Sequence, residues 1–133
     1  MPYEVMWEGR CAYTRFWGEL SAQEYNQAQD VVFADPRFDA LRCKLSDFLE
    51  VTSVLVTKED VEYLATYNHG PNLTNPNVRF VYVTTDERII ALIRHAATLS
   101  AYELGIFSTL KEARSWGSEG TTNRSMGTRT WIG

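Results

Sequence analysis

The feature of the sequence that most constrains its fold is a regular alternation of β-prone runs with helical apolar stripes. Residues 3–7 and 11–17 are β-prone and flank a short turn at Gly9, which is the pattern of a β-hairpin. Three later strand-like runs, at 41–47, 79–84 and 102–107, each precede a helical stripe. Strands that alternate with helices pair in parallel through right-handed crossovers. The sequence therefore predicts an α/β fold, in the order β-β-α-β-α-β-α-β-α, with a mostly parallel sheet and an N-terminal antiparallel hairpin.

The predicted helices carry recognisable starts and ends. A hydroxyl residue followed three positions later by an acidic residue is a capping box, and the pairs are Ser21 with Glu24, Thr57 with Asp60, and Thr109 with Glu112. Asp35-Pro36 ends the first helix, because a residue before proline avoids the helical region. The segment 69–77 is rich in Gly, Pro and Asn, and we predict a loop there.

The chain length and composition indicate one domain. A chain of 133 residues with 44% hydrophobic residues can bury one self-sufficient core. The helical pattern ends at Trp116, so we assign residues 1–116 to the domain and residues 117–133 to a flexible C-terminal tail. Trp131 and Ile132 are apolar exceptions in that tail. They are either an accidental pair at a frayed end or a short hook that docks on a neighbouring chain.

Charge and apolar runs exclude several classes of partner. The net charge is −4 and the basic residues are scattered, so we expect no nucleic-acid partner. No apolar run approaches the roughly 20 residues of a membrane span, and the N-terminus lacks a signal-peptide pattern. We therefore predict a cytoplasmic protein.

Cysteine and histidine spacing gives no sign of a metal site or a cofactor. Cys11 and Cys43 have no zinc-ligand spacing, and we interpret them as small buried hydrophobes, with a disulfide between neighbouring strands as the alternative. His69 and His95 have no nucleophile or second ligand at a suitable spacing. We expect neither a metal nor a catalytic set, and so no enzymatic activity.

Several segments, in the same order along the chain, resemble SpoIIAA-like proteins of the STAS/Sec14-like superfamily. A strand at 103–107 followed by Glu112-Ala113 and Trp116 is similar to the end of those domains. The segments 35–39, 47–53 and 80–86 fit the same pattern. The resemblance covers residues 3–116. It implies a superhelix of βα turns after an initial hairpin.

The resemblance also implies a function. It suggests a non-enzymatic regulatory or protein-interaction module, with a protein partner that can be a second copy in a homodimer. In the anti-sigma-factor antagonists of this superfamily a phosphorylatable serine begins the helix after the third strand, and Thr57 holds that position here. The sequence departs from the family at Leu55, where the family has an acidic residue, and at Lys58, where it has glycine. The alternative function is a module that binds a small apolar or lipid-like ligand, which requires an enclosed cavity of roughly 300 Å³ or more.

A second candidate region lies where the predicted strands end. Ligands of open α/β sheets bind beyond the carboxyl ends of parallel strands. The candidate rim for a ligand or partner consists of Asp47, Thr52, Ser53, Thr84 and Asp86. Helix capping by Asp86 and loop hydrogen bonding by Asp47 are the simpler interpretations. The apolar connector 48–56 is either buried in the domain, a dimer face or the lid of an apolar pocket.

Overall fold

The computed structural model describes residues 3–118 and 130–132, and its first element is an antiparallel hairpin. β1 (Tyr3–Glu8) pairs with β2 (Cys11–Leu20). Gly9 in the turn has a φ of 62°, in the left-handed region that glycine adopts without steric cost. The hairpin is the one that the sequence predicts.

Parallel strands and helices alternate after the hairpin. The helices are α1 (Ala22–Phe33), α2 (Lys58–Tyr67), α3 (His69–Thr74), α4 (Glu87–Ala97) and α5 (Leu110–Ser118), with a 3₁₀ helix at Pro36–Ala40. The remaining strands are β3 (Cys43–Val54), β4 (Arg79–Val83), β5 (Glu103–Phe107) and β6 (Thr130–Ile132). The sheet runs in chain order from β1 to β6, and every pairing after β1–β2 is parallel. This confirms the predicted α/β class and the sheet with its antiparallel hairpin.

The two faces of the sheet carry separate apolar cores. On one face, strand residues such as Phe16 and Phe80 pack with α1 and α4, and we call this the α1/α4 face. On the other, the α5 face, Leu45 and Val81 pack with Ala113 of α5. Side chains alternate between faces along a strand. This alternation places Lys44, Ser46 and Phe48 of β3 on the α1/α4 face.

Strand β3 is longer than the sequence predicts. The prediction that this strand ends at Asp47 and continues as a connector over 48–56 is wrong, because β3 runs to Val54. β2 is also long, and its pairing with β3 continues to Leu20 and Val54. Pairing with β4 stops at Asp47 and Val83, so beyond Asp47 β3 pairs with β2 alone.

The segment 69–77 is not wholly a loop. Residues His69–Thr74 form the short helix α3, and Pro71 lies in its first turn, where the missing N–H costs no helical hydrogen bond. Asn75 follows the helix and is buried. Its amide donates to the carbonyls of Phe38 and Leu41 at 2.7 and 2.9 Å. These bonds tie the residue after α3 to the end of the 3₁₀ helix.

The last described elements extend beyond Trp116. α5 extends to Ser118, two residues beyond Trp116, and Thr130–Ile132 form β6 beside β5 of the same chain. Neither interpretation of Trp131 and Ile132 anticipates this pairing. Residues 119–129 of the predicted flexible tail lie outside the described residues.

Cys11 and Cys43 form a disulfide. They are register partners on β2 and β3, with Cα atoms 4.4 Å apart. The preferred interpretation, two unlinked small hydrophobes, is wrong, and the alternative of an inter-strand disulfide holds.

Within the described ranges, no helix combines the length and the apolar character that a membrane crossing requires.

Candidate functional site

A partly enclosed apolar cavity of about 80 Å³ lies between the α1/α4 face of the sheet and the helices above it. Phe48, Phe80 and Leu104 line it from the strands. The helices contribute aliphatic side chains, which are Val61 and Leu64 from α2 and Ile89, Leu92 and Ile93 from α4. The alignment of this lining with the buried stripes of α2 and α4 explains why the cavity is apolar.

Small residues leave this space open. Ala65 on α2 and Ala96 on α4 both line the cavity, where larger side chains would fill the gap between the helices and the sheet. Ala65 also lines a second cavity of about 50 Å³, which shares Asn68 and Ser100 with the first. The two spaces are therefore neighbours.

Polar atoms without partners lie along the smaller cavity. The side-chain oxygen of Asn68 and the hydroxyl of Tyr102 are buried, and neither has a hydrogen-bond partner among the residues that the structure describes. Burial raises the pKa of the Tyr102 hydroxyl above its ordinary value. Such atoms are uncommon in native cores and call for a physical explanation.

A buried lysine lies directly behind the cavity wall. Lys44 is 2% exposed, and its ammonium is 3.4 Å from the Tyr25 hydroxyl. The same nitrogen is 5.1 Å from the ring centroids of both Tyr25 and Phe80, which is cation–π range. Tyr25 and Phe80 line the cavity, whereas Lys44 contacts it only through them.

Tyr82 brings a second phenol to the same wall. It lines the cavity near Tyr25, and burial together with the Tyr25 hydroxyl raises its pKa well above the ordinary value. Tyr25 and Tyr82 thus both line the cavity. With Lys44 they form what we call the Lys44 cluster.

The sequence interpretation missed the Lys44 cluster. Lys44 alternates with Cys43 and Leu45, and such alternation predicts a wet or partner-covered face. The order of elements could have revealed that Lys44 is buried. A strand in the middle of a parallel sheet has helices on both faces, so a lysine there must be buried.

Thr57 lies beside the cavity and caps α2. Its hydroxyl accepts from the Asp60 N–H at 3.1 Å, and the Asp60 carboxylate accepts from the Thr57 N–H at 2.9 Å. This confirms the predicted capping box. Thr57 is exposed, and Val56 and Val61 on either side of it line the cavity. The predicted phosphorylation at this hydroxyl stays a prediction.

The structure does not bring the two carboxylates of the predicted rim together. Asp47 is buried on the α5 face, where it accepts from the Tyr13 hydroxyl at 2.6 Å and from the Leu49 N–H at 3.0 Å. Asp86 caps α4 on the opposite face and pairs with Arg88 at 2.7 Å. That guanidinium holds the pKa of the Asp86 carboxyl below its usual value. The predicted cap by Asp86 is confirmed, whereas the backbone partner of Asp47 is in strand β3 and not in the predicted loop.

The hydroxyl residues of the rim are also spread out. Thr84 is buried, and its hydroxyl accepts from the Asp86 N–H at 3.0 Å. Thr52 is exposed on the extension of β3, and Ser53 is the register partner of Glu19 there. The five rim residues share one end of the sheet, but they do not form a common pocket with the cavity lining described above.

The titratable residues give no metal cluster. Across residues 3–118 and 130–132, no group of three or more His, Cys, Asp or Glu side chains is placed to hold a metal ion. His95 of α4 lies 3.1 Å from the Glu62 carboxylate of α2, so it links the two helices that cover the cavity. The side chain of His69 lies outside the described residues.

Comparison with solved structures identifies the fold. An uncharacterised protein of the DUF3478 family with a SpoIIAA-like fold, from Shewanella loihica PV-4, superposes with a TM-score of 0.55. The alignment covers 86% of this chain and 90% of that chain, at 16% sequence identity. No protein-family model and no curated protein matches the sequence. The chain has a SpoIIAA-like fold, and at this identity the likeness extends to the fold alone.

Proposed function

We propose that this SpoIIAA-like domain binds a small apolar ligand in the cavity between the sheet and helices α2 and α4. The observation that supports this most strongly is the cavity itself, whose lining is almost entirely aliphatic and aromatic with a few polar groups. Its volume of about 80 Å³ does not reach the roughly 300 Å³ expected from the sequence, so a whole lipid-like or drug-sized ligand does not fit. The ligand is therefore small, or it inserts only a short apolar part.

The proposed activity is binding without catalysis. Asp47 and Asp86 are the carboxylates that could do acid–base work at the sheet edge, and each is occupied by its own partners on a different face. The hydroxyls of Thr57 and Thr84 accept from backbone N–H groups. These partnerships support structural roles for all four residues.

Thermal denaturation in the presence of hexan-1-ol tests the binding proposal. A ligand that binds only the folded state raises Tm as its concentration increases. We expect this increase in the natural protein and its loss in Ala65→Phe, which places a ring in both cavities. Ala40→Phe is the matched control, because Ala40 is exposed on the 3₁₀ helix and lines neither cavity.

The two variants make the result decisive. A rise in Tm that is equal in the natural protein, Ala65→Phe and Ala40→Phe would show that hexan-1-ol acts elsewhere. No rise in the natural protein would contradict binding of a small apolar ligand in this cavity.

A regulatory or protein-interaction role, with a homodimer as the simplest assembly, is the second candidate. It is favoured by apolar side chains at the end of β3, where Leu49 is 43% and Leu55 is 54% exposed. A cytoplasmic location and a phosphorylation switch at Thr57 belong to this candidate. Light scattering that shows a monomer up to the highest soluble concentration would count against the homodimer. Mass spectrometry that finds no phosphate on Thr57 after incubation with lysate and ATP would remove the switch.

A further inference from the structure

Lys44 is a buried charge without an ionic partner in the described part of the chain. Its neighbours are the Tyr25 ring and hydroxyl from α1 and the Phe80 ring from β4, and no carboxylate lies within ion-pair distance. Burial of a charge is costly unless the charge is paired and hydrogen-bonded. Two aromatic faces and one long hydrogen bond offset that cost only in part.

The hydrogen bonds of the Lys44 cluster have a fixed direction. A lysine ammonium can only donate, so the Tyr25 oxygen accepts from Lys44. The Tyr25 hydroxyl hydrogen is then available for Tyr82 or for a group in the cavity, and both phenols line that cavity. Whichever phenol donates to the other, one O–H hydrogen is left over. The wall therefore offers one free hydrogen-bond donor, with the Lys44 ammonium directly behind it.

Two further polar side chains on the same side of the sheet lack partners among the described residues. Ser46 is two positions from Lys44 on β3, and its hydroxyl is buried without a hydrogen bond. Gln29 is one helical turn from Tyr25 on α1, 1% exposed, and both ends of its amide are unpaired. This second observation is independent of the charge on Lys44. Ser46, Gln29 and Lys44 are thus buried polar side chains whose hydrogen-bonding or ionic needs the described residues meet only in part or not at all.

We propose that the ligand is a small amphiphile with an anionic head, a monocarboxylate with a short apolar body. Its apolar body occupies the cavity, and its carboxylate accepts the one O–H hydrogen that the Tyr25–Tyr82 pair leaves over, with the Lys44 ammonium behind the two phenols. The carboxylate supplies the anionic partner that Lys44 lacks among the described residues. A charge-assisted hydrogen bond is about twice as strong as a neutral one. This inference rests on the proposed function, since it names the class of ligand for the same cavity.

The test compares three probes with the same six-carbon chain by isothermal titration calorimetry near neutral pH. The probes are hexanoate, hexan-1-ol and hexylamine, which carry an anionic, a neutral and a cationic head. We expect hexanoate to bind at least about tenfold more tightly than hexan-1-ol, and hexylamine to bind least tightly. Lys44→Met should abolish the preference for hexanoate while hexan-1-ol still binds.

Two further variants separate the role of Lys44 from a general effect. Lys58→Met removes an exposed lysine at the start of α2 and should leave all three affinities unchanged. Tyr82→Phe keeps the charge and removes one hydroxyl, so it should reduce the hexanoate preference in part. Lys44→Met removes an unpaired buried charge, so we expect it to fold, and circular dichroism checks this.

Each outcome decides a separate question. If hexan-1-ol binds and hexanoate binds no more tightly, the anionic head is overturned and the apolar ligand stands. A hexanoate preference that survives in Lys44→Met also overturns the inference. If none of the probes binds, the proposed function fails, and the inference fails with it.

Discussion

At the scale of single residues, the buried tyrosines differ in whether their hydroxyls have partners. Tyr13 donates to the buried carboxylate of Asp47 at 2.6 Å, whereas the Tyr102 hydroxyl has no partner among the described residues. Removal of one partner from a buried pair costs about 1–3 kcal/mol, whereas removal of an unpaired group costs little. The two residues therefore form a natural comparison, because Tyr→Phe is the same chemical change at both.

We predict that Tyr13→Phe lowers the free energy of unfolding by about 1–3 kcal/mol, because Asp47 is left with only the Leu49 N–H. Tyr102→Phe should be neutral or stabilising at neutral pH, because it removes an unpaired hydroxyl from the core. Urea denaturation of the two variants measures both effects. Equal losses in the two variants would contradict this distinction.

The raised pKa of Tyr102 predicts how the stability of the protein changes at alkaline pH. The pKa of Tyr102 is raised in the folded state, so above a pH of about 10 the unfolded chain loses this proton first. The unfolded state then binds fewer protons than the folded state, and the free energy of unfolding falls as pH rises. Tyr102→Phe should make that fall less steep, and denaturation at a series of alkaline pH values measures the slope.

At the scale of elements, helix starts were predictable and strand ends were not. The capping boxes predicted at Ser21, Thr57 and Thr109 are local patterns, and all three hydroxyls accept from the N–H three residues on. The reciprocal bond from the carboxylate to the backbone N–H of the cap is present at Thr57. The end of β3 depends on its long-range pairing with β2, which continues to Leu20, and no local residue pattern records this. Helix α3 was missed because Gly and Pro suggest a loop, although proline is tolerated in a first turn.

We predict that Thr57→Ala lowers the free energy of unfolding by about 1 kcal/mol, because the Asp60 N–H loses its acceptor. Thr66→Ala on the same helix is the control. Thr66 is exposed and its hydroxyl donates to the Glu62 carbonyl, which gives no cap. Thermal or urea denaturation compares the two, and a loss in Thr66→Ala as large as in Thr57→Ala would argue against the cap.

At the scale of the whole molecule, the alternation of strands and helices from β1 to α5 was predictable, apart from α3, because each of these elements has its own periodicity. The cavity was not, because it arises where α2, α4 and the sheet meet and depends on small residues such as Ala65 and Ala96. The Cys11–Cys43 disulfide also depends on the register of two strands. A disulfide is uncommon in a reducing cytosol, so it stands in tension with the predicted cytoplasmic location.

The disulfide predicts a measurable change in stability. It closes a loop with a sequence separation of 32 residues. In the chain-entropy model such a loop contributes about 3.7 kcal/mol. Reduction by dithiothreitol should lower the free energy of unfolding by about this amount, and Cys11→Ser with Cys43→Ser should show no further loss on reduction. An unchanged midpoint in the natural protein after complete reduction would contradict the assigned role.

The most direct test of the apolar cavity is a methyl NMR titration with hexan-1-ol. We predict saturable shifts of the Ile89 and Ile93 methyl groups, which line the cavity, and little change at Ile90 on the same helix, which does not. Ala65→Phe should abolish these shifts. Unsaturable shifts spread over the surface, or shifts at Ile89 and Ile93 that persist in Ala65→Phe, would contradict binding in this cavity.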